Sequence, residues 1–110
     1  MKTIKTFEHR IEGTENEFVK AELKYDLGGV NVWTYGHDAR GYWMYVRRVK
    51  RERGFESFVL YDGRKILLKE VARQSKRAEA EAVKLFNEQY LDAVHRVYPD
   101  LTLSTGFTIR

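Results

Sequence analysis

Hydrophobic and polar residues alternate strictly over residues 18–27, where valine, alanine, leucine and tyrosine occupy every second position. A period of two residues is typical of a β-strand with one buried face. Gly28-Gly29 follows this segment, and two glycines readily adopt the positive φ angles of a two-residue hairpin turn. The pattern therefore predicts a strand over residues 18–27 that folds back at the glycines.

Further segments rich in β-branched and aromatic residues are separated by short turns, which predicts more strands. They span residues 30–35, 42–50 and 55–61. Short connections favour antiparallel pairing, so we predict a four-stranded antiparallel meander over residues 18–61. Residues 1–16 fit either a strand or a loose arm. A weak alternation from Leu101 to Ile109 fits a short extra strand, so the termini add one or two strands or none.

After residue 62 the hydrophobic period changes to that of an α-helix. Apolar residues recur three or four positions apart from Leu67 to Val97. Asp62 is a suitable N-cap because its carboxylate can accept a hydrogen bond from a first-turn amide, and Pro99 ends the pattern. We predict one helix over residues 63–98. Unbroken, it would be ~50 Å long at ~1.5 Å per residue, so it either bends or projects from the sheet.

Together these elements predict an α+β fold, an antiparallel meander packed by one long C-terminal helix. The chain has 110 residues, which suffices for one hydrophobic core, so we expect a single domain over residues 1–110. Residues 1–16 would form its N-terminal arm and residues 99–110 its tail.

Turn geometry fixes strand register, and register assigns each side chain to a face. With the turn at Gly28-Gly29, Tyr25 lies opposite Val32, and Val32 lies opposite Tyr45. This register places Trp43 and Tyr45 beneath the helix. The other face then collects aromatic and cationic side chains, among them Trp33, Tyr35, Tyr42, Met44, Val46, Arg48 and Lys50.

Positive charge is concentrated in the middle of the chain. The net charge is +4, but residues 40–77 contain 12 Lys and Arg against 4 Asp and Glu, a local net charge of +8. The densest run, residues 47–53, leads into a predicted hairpin whose turn is residues 51–54, with Lys50 opposite Phe55. A concentrated cationic block favours an anionic partner more than a diffuse charge does.

Aromatic and cationic side chains on one sheet face are typical of proteins that bind single-stranded nucleic acid. Flat rings stack on unpaired bases, while Lys and Arg neutralise phosphates. We therefore predict a small, non-catalytic nucleic-acid-binding accessory protein that acts on single strands. The predicted contact residues are Trp33, Tyr35, Tyr42, Arg40, Arg48, Lys50, Arg51 and Arg53. Alternatively, this face is covered by a terminus of the chain or by a second subunit.

Residues suited to catalysis or metal binding are scattered. His9, His37 and His95 lack a metal-ligand spacing, and no nucleophile elbow, Walker A loop or dinucleotide fingerprint occurs. The absence of cysteine excludes disulfides and thiolate chemistry. No segment approaches the ~20 apolar residues of a membrane span, and the N-terminal residues do not resemble a secretory signal. We expect no enzymatic activity, no cofactor, no metal, no membrane partner and a cytoplasmic location.

Two resemblances bear on these expectations. Residues 54–71, GFESFVLYDGRKILLKEV, resemble a strand-to-helix junction in small uncharacterised proteins of Gram-positive bacteria, their phages and mobile elements. The order of a four-stranded meander followed by a helix is similar to that of the PC4-like fold of single-stranded-DNA-binding proteins. That resemblance implies a dimer with a cationic sheet surface, although the helix predicted here is much longer.

Two other classes of function remain open. A protein-binding module fits a small chain with a large apolar face and no catalytic motif. One example is a phage- or element-encoded inhibitor of a host defence nucleoprotein, similar to an anti-CRISPR, in which aromatics and arginines would be hot spots. A structural homodimer that uses the second sheet face and a projecting helix is the other class.

Overall fold

Residues 2–26, 40–58 and 63–109 are described by a computed structural model, in which they form six β-strands and one α-helix. In chain order the elements are β1 (Lys2–Ile11), β2 (Glu17–Asp26), β3 (Gly41–Glu52), β4 (Phe55–Phe58), β5 (Arg64–Glu70), α1 (Lys76–Val97) and β6 (Leu103–Ile109). The fold is α+β, an antiparallel sheet with a C-terminal helix, which confirms the predicted class.

All the described strands belong to one sheet, in the order β4-β3-β2-β1-β6, with β5 paired to β3 on the same edge as β4. The strands β1 to β4 form an antiparallel meander. β1 and β6 pair with each other, so both termini contribute strands to the sheet. The long central strand β3 is flanked by β2 on one edge and by β5 and then β4 on the other.

Direct pairing of β2 with β3 corrects the predicted register. Leu23 lies opposite Met44, whereas the sequence pattern placed residues 30–35 between these two strands. The alternation in a strand reports which residues share a face but not which strand lies beside it. Residues 30–35 themselves, and the predicted turn at Gly28-Gly29, lie outside the described residues.

The segment from residue 64 to residue 70 is strand β5, so the predicted start of the helix is wrong. Ile66 pairs with Met44 across the sheet. A short continuous apolar run, Ile66-Leu67-Leu68, fits a buried strand as well as a helix, which is why periodicity alone misassigned it. The proposed N-cap, Asp62, lies outside the described residues.

The helix begins at Lys76, after Ser75, whose hydroxyl oxygen accepts a hydrogen bond from the Ala78 amide at 3.1 Å. It ends at Val97, before the predicted stop at Pro99. At ~1.5 Å per residue it is about 33 Å long, which removes the expected overshoot of the sheet.

The β3–β4 hairpin turns at Arg53-Gly54, where both residues have positive φ angles, 51° and 80°. Glu52 therefore lies opposite Phe55, two positions away from the predicted pairing of Lys50 with Phe55. A shift of two residues leaves unchanged which side chains of β3 and β4 share a face.

The hydrophobic core lies between the helix and the sheet face that it covers. Phe86 is fully buried, and its ring stacks on that of Phe7 with 5.3 Å between centroids. Tyr90 stacks on Phe7 in turn, with 4.0 Å between centroids. The buried core residues are Phe7, Ile11, Val19, Ala21, Leu23, Tyr25, Tyr42, Met44, Val46, Ala78, Ala82, Phe86, Ala93 and Val94.

Replacing Phe86 by Ala should lower the free energy of unfolding by about 3–5 kcal/mol, because it leaves a cavity between helix and sheet. Urea denaturation measures this loss. Leu91→Ala is the matched control: Leu91 lies on the same helix but is 42% exposed, so we expect a change of about 0.5 kcal/mol or less. Equal losses in the two variants would contradict the packing of the helix described here.

Candidate nucleic-acid interface

The sheet face turned away from the helix carries the alternate residues of β1, β2, β3 and β5. On β3, Tyr42 and Met44 pack in the core beneath the helix, so Trp43, Tyr45 and Arg47 point to the other side. We call this side the outer face. Its described side chains are Thr3, Thr6, Glu8, Arg10, Phe18, Lys20, Glu22, Lys24, Trp43, Tyr45, Arg47, Val49, Arg51, Lys65, Leu67 and Glu70.

This arrangement reverses the predicted faces of β3. The sequence register placed Trp43 and Tyr45 in the core and Tyr42 on the aromatic–cationic face. The observed pairing of Glu22 with Tyr45 and of Leu23 with Met44 shifts β3 by an odd number of residues, which exchanges its two faces.

The ring of Tyr45 lies between two ammonium groups on the outer face. Lys24 Nζ is 5.2 Å from the ring centroid, and Lys65 Nζ is 5.4 Å from it. The two lysines belong to β2 and β5, which flank β3 on opposite edges. Both distances allow a cation–π attraction. Lys65 also lies 4.2 Å from the ring centroid of Trp43, which is only 1% exposed, whereas Tyr45 is half-buried.

Two buried glutamates lie beneath the cations of the outer face. Glu22 is 5% exposed and accepts a hydrogen bond from Arg47 Nε at 3.0 Å, and its second carboxylate oxygen is 3.8 Å from Lys24 Nζ. Glu8 is 2% exposed and forms an ion pair with Arg51. The carboxylates are thus covered, while the side chains of Arg47 and Arg51 remain 26% and 23% exposed.

Positive charge exceeds negative charge on the outer face. Its described side chains include six cations, Arg10, Lys20, Lys24, Arg47, Arg51 and Lys65, against three carboxylates, those of Glu8, Glu22 and Glu70. The guanidinium of Arg51 lies 5.1 Å from the ring centroid of Phe18, a further cation–aromatic contact. The aromatic and cationic character expected of one sheet face is therefore present, on a largely different set of residues.

Tyr42 belongs to the core and is not an accessible stacking ring, which corrects its predicted role. It is fully buried, its ring centroid is 5.0 Å from that of Tyr25, and its hydroxyl donates to the Ser75 carbonyl oxygen at 3.4 Å. Burial raises the pKa of Tyr42 above the usual 10, and the nearby carboxylate of Glu79 raises it further.

The remaining predicted contact residues are dispersed. Trp33 and Tyr35 lie outside the described residues. Arg48 and Lys50 point to the helix side of the sheet, where Arg48 Nη2 lies 2.7 Å from Glu17 and Lys50 Nζ lies 2.9 Å from Glu52. Arg40 and Arg53 are exposed at opposite ends of β3, and Arg51 lies on the outer face. Among the described residues, the structure places only Arg51 of the predicted set on the aromatic–cationic face.

The contact residues predicted from the sequence do not include Lys24, Tyr45, Arg47 and Lys65, although the predicted register places Lys24 on the aromatic–cationic face. The first three are visible as alternate residues of strands, but their common face follows only from the direct pairing of β2 with β3. Lys65 lies in a segment that the pattern assigns to the helix, so the sequence does not place it on a sheet face.

Comparisons of the chain with protein-family models, with curated proteins and with solved structures find no match. The resemblances to phage and mobile-element proteins and to the PC4-like fold therefore stay predictions. In residues 2–26, 40–58 and 63–109, no group of three or more His, Asp or Glu side chains is placed to hold a metal ion. The helix of the described chain is not long and apolar enough to cross a membrane.

The raised pKa of Tyr42 predicts a loss of stability at alkaline pH. Below the usual tyrosine value of 10, the phenol is neutral in both the folded and the unfolded chain. As the pH rises above it, the unfolded chain releases this proton and the folded chain retains it up to the higher pKa, so unfolding becomes more favourable. Free energies of unfolding from about pH 9 to about pH 11 should therefore fall less steeply for Tyr42→Phe than for the wild type.

The other tyrosines are common to both proteins, so the difference between the two curves reports Tyr42 alone. Parallel curves would show that Tyr42 is not buried as described.

Proposed function

We propose that the protein binds single-stranded nucleic acid on its outer face. Tyr45 would stack on a base, and Lys24, Lys65, Arg47 and Arg51 would contact phosphates. The observation that carries this proposal is the half-buried ring of Tyr45 between the ammonium groups of Lys24 and Lys65.

A base can take the place of the Lys24 or Lys65 ammonium group against the Tyr45 ring, and the displaced lysine stays close enough to contact the nucleic acid. Lysine carries its charge on a flexible four-carbon stem, so Lys24 and Lys65 can turn to the flanking phosphates when a base stacks on Tyr45. Base–aromatic stacking stabilises such complexes by ~1–3 kcal/mol per base and tolerates any base. The site therefore favours binding with little sequence preference.

The buried carboxylates support the same function. Glu22 holds the guanidinium of Arg47, and Glu8 holds that of Arg51, so these arginines are ordered before a ligand arrives. Ordering a cation in advance lowers the entropy lost on binding. Because both carboxylates are engaged with cations, we propose a binding role without catalysis.

Replacing Tyr45 by Ala should weaken binding of a fluorescent oligothymidine of about 15 nucleotides roughly 5- to 150-fold, the equivalent of one lost stacking contact. Tyr45→Phe keeps the flat ring and should bind like the wild type. Fluorescence anisotropy at low salt measures both affinities, and circular dichroism with urea denaturation confirms that each variant is folded.

Removing one phosphate contact should change the salt dependence. Lys65→Gln is expected to weaken binding and to reduce the slope of log K against log salt by about 0.7. The matched control is Lys84→Gln, which removes an exposed lysine from the helix on the opposite side of the sheet and should alter neither quantity. Equal effects of the two substitutions, or no binding by the wild type at low salt, would refute the proposed interface.

A protein-binding module remains the second candidate, in the form of an inhibitor of a host defence nucleoprotein. The observation that favours it is Phe55, which is 78% exposed next to Arg53, since aromatic residues and arginine are enriched at protein interfaces. Affinity capture with and without nuclease separates the candidates, because a nucleic-acid-mediated partner is lost on nuclease treatment.

A cytoplasmic location, an origin in a phage or mobile element, and homodimer formation also remain proposals. Light scattering at several protein concentrations tests the last of these. A monomer at every concentration would count against the homodimer and would leave the second sheet face available to a ligand.

A further inference from the structure

The tip of the β3–β4 hairpin is a tight two-residue turn. Arg53 and Gly54 have φ angles of 51° and 80°, the conformation of a type I′ turn, and Glu52 pairs with Phe55 directly behind it. A residue other than glycine, asparagine or aspartate is disfavoured at positive φ. Arginine at this position therefore suggests that its side chain is used there.

Phe55 is the most exposed large hydrophobic side chain of the described residues, at 78%. Stacking of an exposed phenylalanine ring on another flat apolar surface is favourable, because it removes apolar surface from water. The structure thus presents an exposed aromatic ring directly behind a two-residue turn.

The charge around the tip indicates the partner. Residues 47–53 contain five Lys and Arg and one Glu, and that carboxylate, Glu52, is 2.9 Å from Lys50 Nζ. Arg53 is exposed. A polyanion that also offers flat apolar surfaces meets both requirements, and a nucleic acid with an exposed base pair is such a ligand.

The two aromatic rings lie on opposite sides of the sheet. Tyr45 belongs to the outer face, whereas Phe55 shares the side of its cross-strand partner Glu52, an even-numbered residue of β3. A single strand on the outer face and its complement on the other side would be separated by the hairpin tip. Apolar side chains inserted between bases are known to unstack a base step and kink the duplex.

We propose that the β3–β4 tip recognises the junction at which a duplex opens into single strands, with Phe55 stacked on the last base pair and Arg53 on the adjoining phosphate. This inference rests on the proposed single-strand binding by the outer face. From Tyr45 to Glu52, β3 rises by about 23 Å at ~3.3 Å per residue. At ~3.4 Å per stacked nucleotide, roughly seven nucleotides span from the junction to Tyr45.

The test compares three fluorescent oligonucleotides: a duplex hairpin with a single-stranded overhang of about ten nucleotides, the same strand without the duplex, and a blunt duplex. The overhang is placed at the 5′ end in one hairpin and at the 3′ end in another, and its length is varied. Wild-type protein should bind the junction of one polarity at least ~5-fold more tightly than the single strand, and this advantage should disappear when the overhang is shorter than the roughly seven nucleotides that reach Tyr45.

Phe55→Ala should reduce the ratio of junction to single-strand affinity to about one and leave the single-strand affinity unchanged. Phe55→Trp should keep the ratio. Leu91→Ala removes the other large hydrophobic side chain that is exposed among the described residues and is the matched control. A 2-aminopurine at the last base pair reports stacking directly, and its fluorescence should respond to the wild type but not to Phe55→Ala.

The outcomes separate the two proposals. Binding of the single strand without any preference for the junction, or a preference that survives Phe55→Ala, overturns this inference and leaves the proposed function in place. Absence of binding to all three oligonucleotides overturns both. A protein partner that survives nuclease and is lost with Phe55→Ala would assign the tip to protein recognition instead.

Discussion

Pairing of β2 with β3 determines which side chains of this protein face the helix and which face a ligand. With Leu23 opposite Met44, the apolar residues of both strands lie under the helix, and Tyr45 and Arg47 lie on the outer face. A slip of one residue would turn Arg47 into the core, away from Glu22, and a buried unpaired charge is strongly unfavourable. The core and the ion pairs therefore enforce the same register, and the outer face is a consequence of it.

On the outer face, two acidic groups lie deeper than the basic groups. The carboxylates of Glu8 and Glu22 are buried, and each is covered by an arginine whose side chain stays about a quarter exposed. Burying a carboxylate is unfavourable unless a cation and hydrogen bonds offset the lost hydration, so the glutamates fix the positions of the arginines. One set of contacts thus stabilises the sheet and presents ordered positive charge beside the ring of Tyr45.

The sequence pattern predicts the local elements better than their neighbours. Alternation over residues 18–27 locates β2, and the aromatic run after Gly41 locates β3, because both report one buried face. The run Ile66-Leu67-Leu68 has no period, so periodicity does not distinguish its strand from the start of a helix. The candidate site depends on a long-range pairing, which alternation does not encode. The basic and aromatic composition of the site can be predicted from the local sequence. Most of the residues that form it cannot, because they are selected by this pairing.

The two faces of β3 can be distinguished most directly by nuclear Overhauser contacts of its tyrosine rings in the free protein. The register described here predicts contacts from the Tyr42 ring to the Tyr25 ring, and contacts from the Tyr45 ring to the side-chain methylenes of Lys24 and Lys65. Contacts from the Tyr45 ring to Ala82 or Phe86 of the helix would contradict the register, and with it the proposed interface.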